Sequence, residues 1–195
     1  MERQDRGDCL GDGQAAIFAG SSGGWLLADM AAQTPIFFAP FVSSTMRVEA
    51  AWIDYNGHLN MAFYNLLIDR TVDEAFELAG LGPDYVTERN ASYFTAEAHV
   101  RYLRELPVDA PVRVTLQLLD YDDKRIHFFA ELHHATEGWP SATSEQLALH
   151  IDLATRRVAP WPDDILQRLA AMKAAHAALP RPEAIGHAIA IRARS

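Results

Sequence analysis

Two hydrophobic rhythms divide this chain. From Met61 to Ala79, apolar residues fall at Met61, Tyr64, Leu67, Ile68, Val72, Ala75, Phe76 and Ala79. Steps of three and four place them on one stripe, which predicts a long helix. Asn60 suits its N-cap, Gly80 suits its C-terminal stop, and Leu81-Gly82-Pro83 then breaks the chain. Upstream, Met46, Val48, Ala50 and Trp52 alternate with Arg47, Glu49 and Ala51, which predicts a strand. Downstream come four strand-like runs. They are 92–103; 112–119, with Val112, Val114, Leu116 and Leu118 on one face; 126–133, with Ile126, Phe128, Ala130 and Leu132; and 143–153, with Leu147, Leu149, Ile151 and Leu153. Asp120-Tyr121-Asp122-Asp123 and Glu137-Gly138-Trp139-Pro140 supply turns. Consecutive strands with short turns predict an antiparallel sheet in meander order, and the long helix must cover its apolar face. A last helix begins at Trp161-Pro162-Asp163-Asp164, with Pro in its first turn, and runs to about Leu179 before Pro180 and Pro182.

No period survives in residues 1–40, which read as a flexible arm; 41–160 read as the folded domain and 161–195 as a C-terminal helix and irregular tail. Composition narrows the functions available. Formal net charge is −9, which argues against nucleic acid, because phosphates need clustered Lys and Arg. Cys9 is the only cysteine, so no intrachain disulfide can form and a reducing, cytoplasmic setting is expected. No apolar run approaches membrane-spanning length, so no membrane partner is expected.

The chemistry concentrates in Asp54-Tyr55-Asn56-Gly57-His58-Leu59-Asn60, on the threshold of the long helix. An acid, two carboxamides, an imidazole and free helix-terminal N–H groups gather there, which suits acyl transfer. Taken singly, Asp54 could cap a turn, Asn56 and Gly57 are ordinary turn residues, and His58 could be a packed surface histidine. The histidines His127, His133, His134 and His150 scatter over strands. His133 and His134 point to opposite faces, so no metal site is predicted. No Gly-rich phosphate loop and no Gly-x-Ser-x-Gly elbow is present.

The spacing Asp54-x-Asn56-x-His58-x-Asn60 resembles the motif of hotdog-fold thioesterases of the 4-hydroxybenzoyl-CoA thioesterase superfamily, and the Asp-x-Asn-x-His core of plant acyl-ACP thioesterases. The resemblance covers about 46–153. It implies an α+β hotdog fold, with an antiparallel sheet wrapped around one central helix and the C-terminal helix added. It implies a homodimer or dimer of dimers with its sites at the seam, and an acyl-CoA substrate with no further cofactor. Carried over, Asp54 would be nucleophile or general base, Asn56 would orient water or the carbonyl, and His58 would assist proton transfer. The amides of about Leu59 to Ala62 would form the oxyanion site.

Three stretches, namely Trp52 to Asn60, Phe94 to Leu103 and Ser144-Glu145-Gln146, resemble thioesterases of carnitine breakdown that act on betainyl-CoA. A trimethylammonium head calls for aromatic and acidic walls, for which Trp52, Tyr55, Tyr64, Tyr93 and Glu97 are candidates, with Asn60 nearby. Arg101 and Arg104, Lys124 and Arg125, or Arg156 and Arg157 could hold the coenzyme A phosphates. Two alternatives stand beside hydrolysis. Hotdog enoyl-CoA hydratases resemble Asp-x-Asn-x-x-His, one residue longer than the spacing here. A non-catalytic acyl-CoA-binding regulator would need neither the acid nor the imidazole.

Overall fold

The computed structural model describes residues 36–191. The expected arm therefore lies almost wholly outside the described residues.

The long helix α1 spans Met61–Leu78. Asn60 caps it, its Oδ1 accepting from the Ala62 amide at 3.0 Å. The stripe at Tyr64, Leu67, Ile68, Val72, Ala75 and Phe76 is buried as its spacing requires. Gly80 takes a left-handed φ of 81°, which a Cβ would resist, and the Leu81 amide returns to the Phe76 carbonyl at 2.9 Å. The break expected at Leu81-Gly82-Pro83 is instead the start of a second helix, α2 (Pro83–Arg89), because Pro at the first position costs no hydrogen bond there.

Four long strands follow: β3 (Ala91–Tyr102), β4 (Pro111–Tyr121), β5 (Arg125–His134) and β6 (Pro140–Asp152). Two-residue strands complete the sheet: β1 (Phe41–Val42) and β2 (Met46–Arg47) on β4, and β7 (Arg157–Val158) on β6. Every pairing is antiparallel. The strand expected over Met46 to Trp52 is thus only two residues long, and a single 3-10 turn, Ala50–Trp52, replaces its end. Two Ala in succession have no branched side chain to hold them extended.

The meander expectation holds for β4, β5 and β6, but β3 lies beside β6, at the far edge from β4. Residues 103–110 make that crossing under the loop before α1. They are held there by Leu59 N–H to the Leu106 carbonyl (2.9 Å) and Asp109 N–H to the Val48 carbonyl (2.9 Å).

Val112, Val114, Leu116 and Leu118 on β4, and Ile126, Phe128, Ala130 and Leu132 on β5, are buried with α1 in one core. On β6 the expected face is mostly the wrong one. Ala142, Ser144, Gln146, Ala148 and His150 are buried on the opposite face, whereas on the expected face Leu147 and Leu149 are only half-buried and Ile151 is buried. Hydrogen bonds make the polar inward positions affordable: Gln146 accepts from Thr95 Oγ1 (3.2 Å) and donates to Ser144 Oγ (3.0 Å). His150 is pinned likewise. Its Nδ1 faces the Ala159 carbonyl (3.0 Å), so it donates there, and Nε2 accepts from the Tyr85 hydroxyl (2.8 Å).

One irregularity in β3 matters for function. Its register on β6 shifts between Thr95 and Glu97. The extra residue turns the following side chains to the opposite face. Tyr93 packs edge-on against Phe76 on the helix side, whereas Glu97 and His99 join His127 and Leu147 on the outer side.

The last helix, α3, spans Asp163–His176, with Pro162 as its N-cap rather than inside its first turn. It stops three residues short of Leu179. Its Ile165, Leu169 and Met172 are buried in the same core as α1, so this helix is a structural part of the domain and not an appendage. The segment after it crosses the outer face of the sheet, where the Gly186 amide donates to Glu145 Oε2 at 2.7 Å.

His176, only 2% exposed, closes the junction. Its Nδ1 accepts from the Leu118 amide at 2.8 Å and its Nε2 lies 2.8 Å from the Phe38 carbonyl, so the ring is neutral with its proton on Nε2. Burial pushes the imidazole pKa below its ordinary value, against the pull of the Phe38 carbonyl. A depressed folded pKa means that protons bind the unfolded chain first. The stability from neutral His176 is therefore complete above about pH 6.5 and is lost as pH falls through the folded value. Urea titrations of wild type and His176→Gln between roughly pH 5 and 8 test this. The variant should be less stable at pH 8 by about 1–3 kcal/mol and show a flatter decline below pH 6.5. Parallel pH curves would discount the neutral ring.

Candidate functional site

Residues 53–59 form a closed loop in front of α1. Ile53 and Leu59 bridge at its neck, and the Asp54 amide donates to the His58 carbonyl at 3.1 Å. Gly57, at φ 86°, makes the tight reversal and donates to the Asp54 carbonyl at 3.0 Å. The loop is anchored by buried Trp52, stacked on Phe63 with centroids 5.3 Å apart, and by buried Leu59. Short-range sequence thus builds the loop, and the helix aims it.

Within it, Asp54 Oδ1 accepts the Asn56 amide at 2.8 Å, and Asn56 Nδ2 lies 3.4 Å from Oδ2. Asp54 therefore does cap its own turn. An ionised carboxylate has about four acceptor positions, so the cap leaves capacity for a water or substrate proton. His58 Nε2 lies 3.5 Å from Glu105 Oε2.

The expected oxyanion amides are mostly engaged. Leu59 N–H goes to Leu106 O, Asn60 N–H to Trp52 O at 2.9 Å, and Ala62 N–H to Asn60 Oδ1. Met61 N–H, the first amide of α1, is the one of this group not spent on these contacts, and it sits where the helix dipole favours negative charge.

These residues open on a cavity of 500 Å³ lined by Asp54, Tyr55, His58, Asn60, Met61, Tyr64, Tyr102 and Glu105, among others. That size suits a small acyl group. Tyr64 meets Tyr102 edge-to-face at 5.1 Å. Burial raises the Tyr64 phenol pKa, opposed by hydrogen bonds with Ser141 and the Leu106 backbone, so it stays a neutral hydroxyl.

Of the residues expected to bind substrate, Tyr55 (97% exposed), Asn60 and Tyr64 do line this cavity. Trp52 lies behind it in the core. Tyr93 donates to Asp73 Oδ1 at 3.0 Å along the second half of α1, where burial and the Asp73 charge raise its pKa. The bulge sends Glu97 to a separate cavity of 540 Å³ on the outer face. There the side chain of Glu145, held by His127 Nε2 at 2.9 Å and the Gly186 amide, is the central group. The carboxyl pKa of Glu145 lies below its ordinary value; burial opposes this, and these hydrogen bonds and the His127 and His99 charges produce it.

Among the cations proposed for coenzyme A, Arg104 alone lines the Asp54 cavity, with its guanidinium 3.9 Å above the Trp139 ring. Arg101 faces the outer side beside the C-terminal segment. At the β4–β5 turn, Lys124 Nζ lies 3.6 Å from Asp123, and Arg125 Nε donates to Asp122 at 2.7 Å. Arg156 ends the β6–β7 turn and Arg157 opens β7. Tyr102 and Glu105 were absent from the expected set. Tyr102 falls in the stretch that carries the resemblance, but Glu105 has no local signal. Among the described residues, no group of three or more His, Cys, Asp or Glu is placed to hold a metal ion.

Comparison with known proteins places this geometry in context. The model of the thioesterase-like superfamily matches residues 48–169. The betainyl-CoA thioesterase of Pseudomonas aeruginosa is 39% identical over 140 residues, covering 72% of this chain and 88% of that protein. The L-carnitine dehydrogenase/betainyl-CoA thioesterase of Rhizobium meliloti is also 39% identical over 140 residues, but they span only 28% of that longer protein. A hypothetical protein of Staphylococcus aureus, solved in complex with CoA, superposes with a TM-score of 0.74. It is 30% identical, over 80% of this chain and 98% of its own.

Proposed function

This chain belongs to the thioesterase-like superfamily, and from that premise we propose that it hydrolyses a short acyl-CoA thioester, betainyl-CoA above others, to the free acid and coenzyme A. The observation that carries the reading is Asp54 and the Met61 amide opening on one cavity at the N-terminus of α1. The thioester carbonyl binds with its oxygen toward Met61 N–H, where the helix dipole stabilises the developing oxyanion. Asp54 takes the proton of the water that attacks the carbonyl, or attacks it directly to give a mixed anhydride that water then hydrolyses to the free acid and Asp54. Asn56 holds its carboxylate in place, and the proton given up by water passes through His58 to the departing thiolate, which returns Asp54 to its carboxylate.

Coenzyme A enters as part of the substrate, and Arg104 is the cation placed to meet it. The hydratase and regulator readings gain no support, since the curated relatives carry thioesterase names. Among the described residues, no helix is long and apolar enough to cross a membrane.

The assembly follows from β3. Its 12 residues form one edge of the sheet, exposed along 94–98. A long uncovered edge is a template for pairing, and a second copy joined there makes a homodimer with a continuous sheet. The domain itself runs from about residue 41 through α3.

Hydrolysis of an acyl-CoA panel, followed by free thiol release, tests the proposal. Betainyl-CoA should give the highest kcat/KM. No thiol release from any member would end the thioesterase reading, and a flat panel would end the betainyl preference alone.

A further inference from the structure

We propose that Tyr102 and Glu105 form the wall that selects the acyl head group, with Glu105 as counter-charge and the Tyr102 ring as cation-π partner of a quaternary ammonium. The inference rests on the thioesterase reading and adds to it the residues that discriminate.

Both line the 500 Å³ cavity that Asp54 lines. Tyr102 ends β3 on the helix side, after the bulge has reset the faces. Its ring is set by the edge-to-face contact with Tyr64 and by its hydroxyl, 3.5 Å from the Met61 carbonyl. It is still half exposed toward solvent, so a ring face remains available to a ligand. Tyr55 and Tyr64 add two further aromatic walls.

Glu105 lies in the crossing segment, with its side chain 73% exposed. Among the described residues its ion-pair partner is His58, at 3.5 Å, and no Lys or Arg pairs with it. The neighbouring cation, Arg104, holds its guanidinium 3.9 Å above the Trp139 ring, where it forms no ion pair with Glu105 and stays available to the coenzyme A part of the substrate. Glu105 therefore faces the cavity with no Lys or Arg among the described residues ion-paired to it. A trimethylammonium finds there both an anion and π-faces, and a neutral group of the same shape can use neither. Glu97 and Tyr93 cannot supply this wall within the chain, for the bulge puts Glu97 on the other face and Tyr93 is tied to Asp73.

The test compares kcat/KM for betainyl-CoA and for its carbon isostere, 3,3-dimethylbutyryl-CoA, in the full-length protein. Wild type should prefer the charged thioester. Glu105→Gln and Tyr102→Leu should each cut the charged-to-neutral ratio by about three- to thirtyfold. Tyr102→Phe, which keeps the ring face, should retain the ratio, as should Glu97→Gln. An unchanged ratio in Glu105→Gln overturns the proposal, even if Tyr102→Leu proves too unstable to assay. Equal losses on both thioesters overturn it too, and assign Glu105 to positioning His58. A wild type indifferent to the charge removes the head-group assignment but not hydrolysis. Failure to cleave either thioester removes the thioesterase reading and this inference with it.

Discussion

Asp54→Asn should lower turnover of an acyl-CoA thioester by roughly 10²–10⁴-fold with the fold intact, because the carboxamide cannot take a proton from water and is a poor nucleophile. The geometry makes this substitution unusually clean. Asp54 Oδ1 accepts the Asn56 amide at 2.8 Å, and an Asn Oδ1 can accept the same bond. What is lost locally is the weaker 3.4 Å contact from Asn56 Nδ2, whose amide would then face another amide. Thermal unfolding should therefore stay close to wild type. Asp54→Ala, by contrast, removes the turn's acceptor, and a further loss of about 1 kcal/mol in stability should accompany the loss of turnover. The pair of variants separates chemistry from capping. Near wild-type rates in Asp54→Asn would take Asp54 out of the mechanism and leave it only the turn.

The largest stability effect expected is that of Phe76→Ala. This ring is fully buried in the second half of α1. It meets Tyr93 of β3 edge-on at 5.2 Å and Phe128 of β5 at 5.4 Å, so it joins the helix to two strands at once. Truncation forfeits the transfer energy of the ring and opens a cavity that neighbouring aromatics cannot fill without leaving their own contacts. A loss of about 3–5 kcal/mol follows, a large fraction of the total stability of an ordinary domain. Urea denaturation at neutral pH reads it directly. A loss below about 1.5 kcal/mol would mean that the site collapses and that α1 is not pinned there.

The helix and the strands were legible because burial on one side imposes a period, and the period survives in Tyr64 to Phe76 and in Val112 to Leu132. The loop was legible for a related reason. Asp54, Gly57 and Asn60 act on backbone groups within a few residues of themselves, so their spacing alone carries the geometry. Even so, that spacing could not tell which amides would be engaged, and carbonyls outside the loop, Trp52 just before it and Leu106 from a distant segment, left Met61 as the remaining donor.

Faces were another matter. On β6 the apolar Leu147 and Leu149 suggested the inner side, yet hydrogen bonds within the sheet let Gln146 and Ser144 take it. On β3 a single extra residue between Thr95 and Glu97 parted Glu97 from Tyr93. A bulge leaves no hydrophobic mark when its strand is an exposed edge, where no buried face constrains the pattern. The chain alone thus determined the long helix, the four long strands and the place of the Asp54 loop, which follow from local periodicity and near-neighbour contacts, but not α2 or the 3-10 turn at Ala50–Trp52. Which side chains share the cavity with that loop was decided only by the tertiary structure. The crossing segment that delivers Glu105, and the register that turns Tyr102 inward, follow from pairings between residues far apart in the chain.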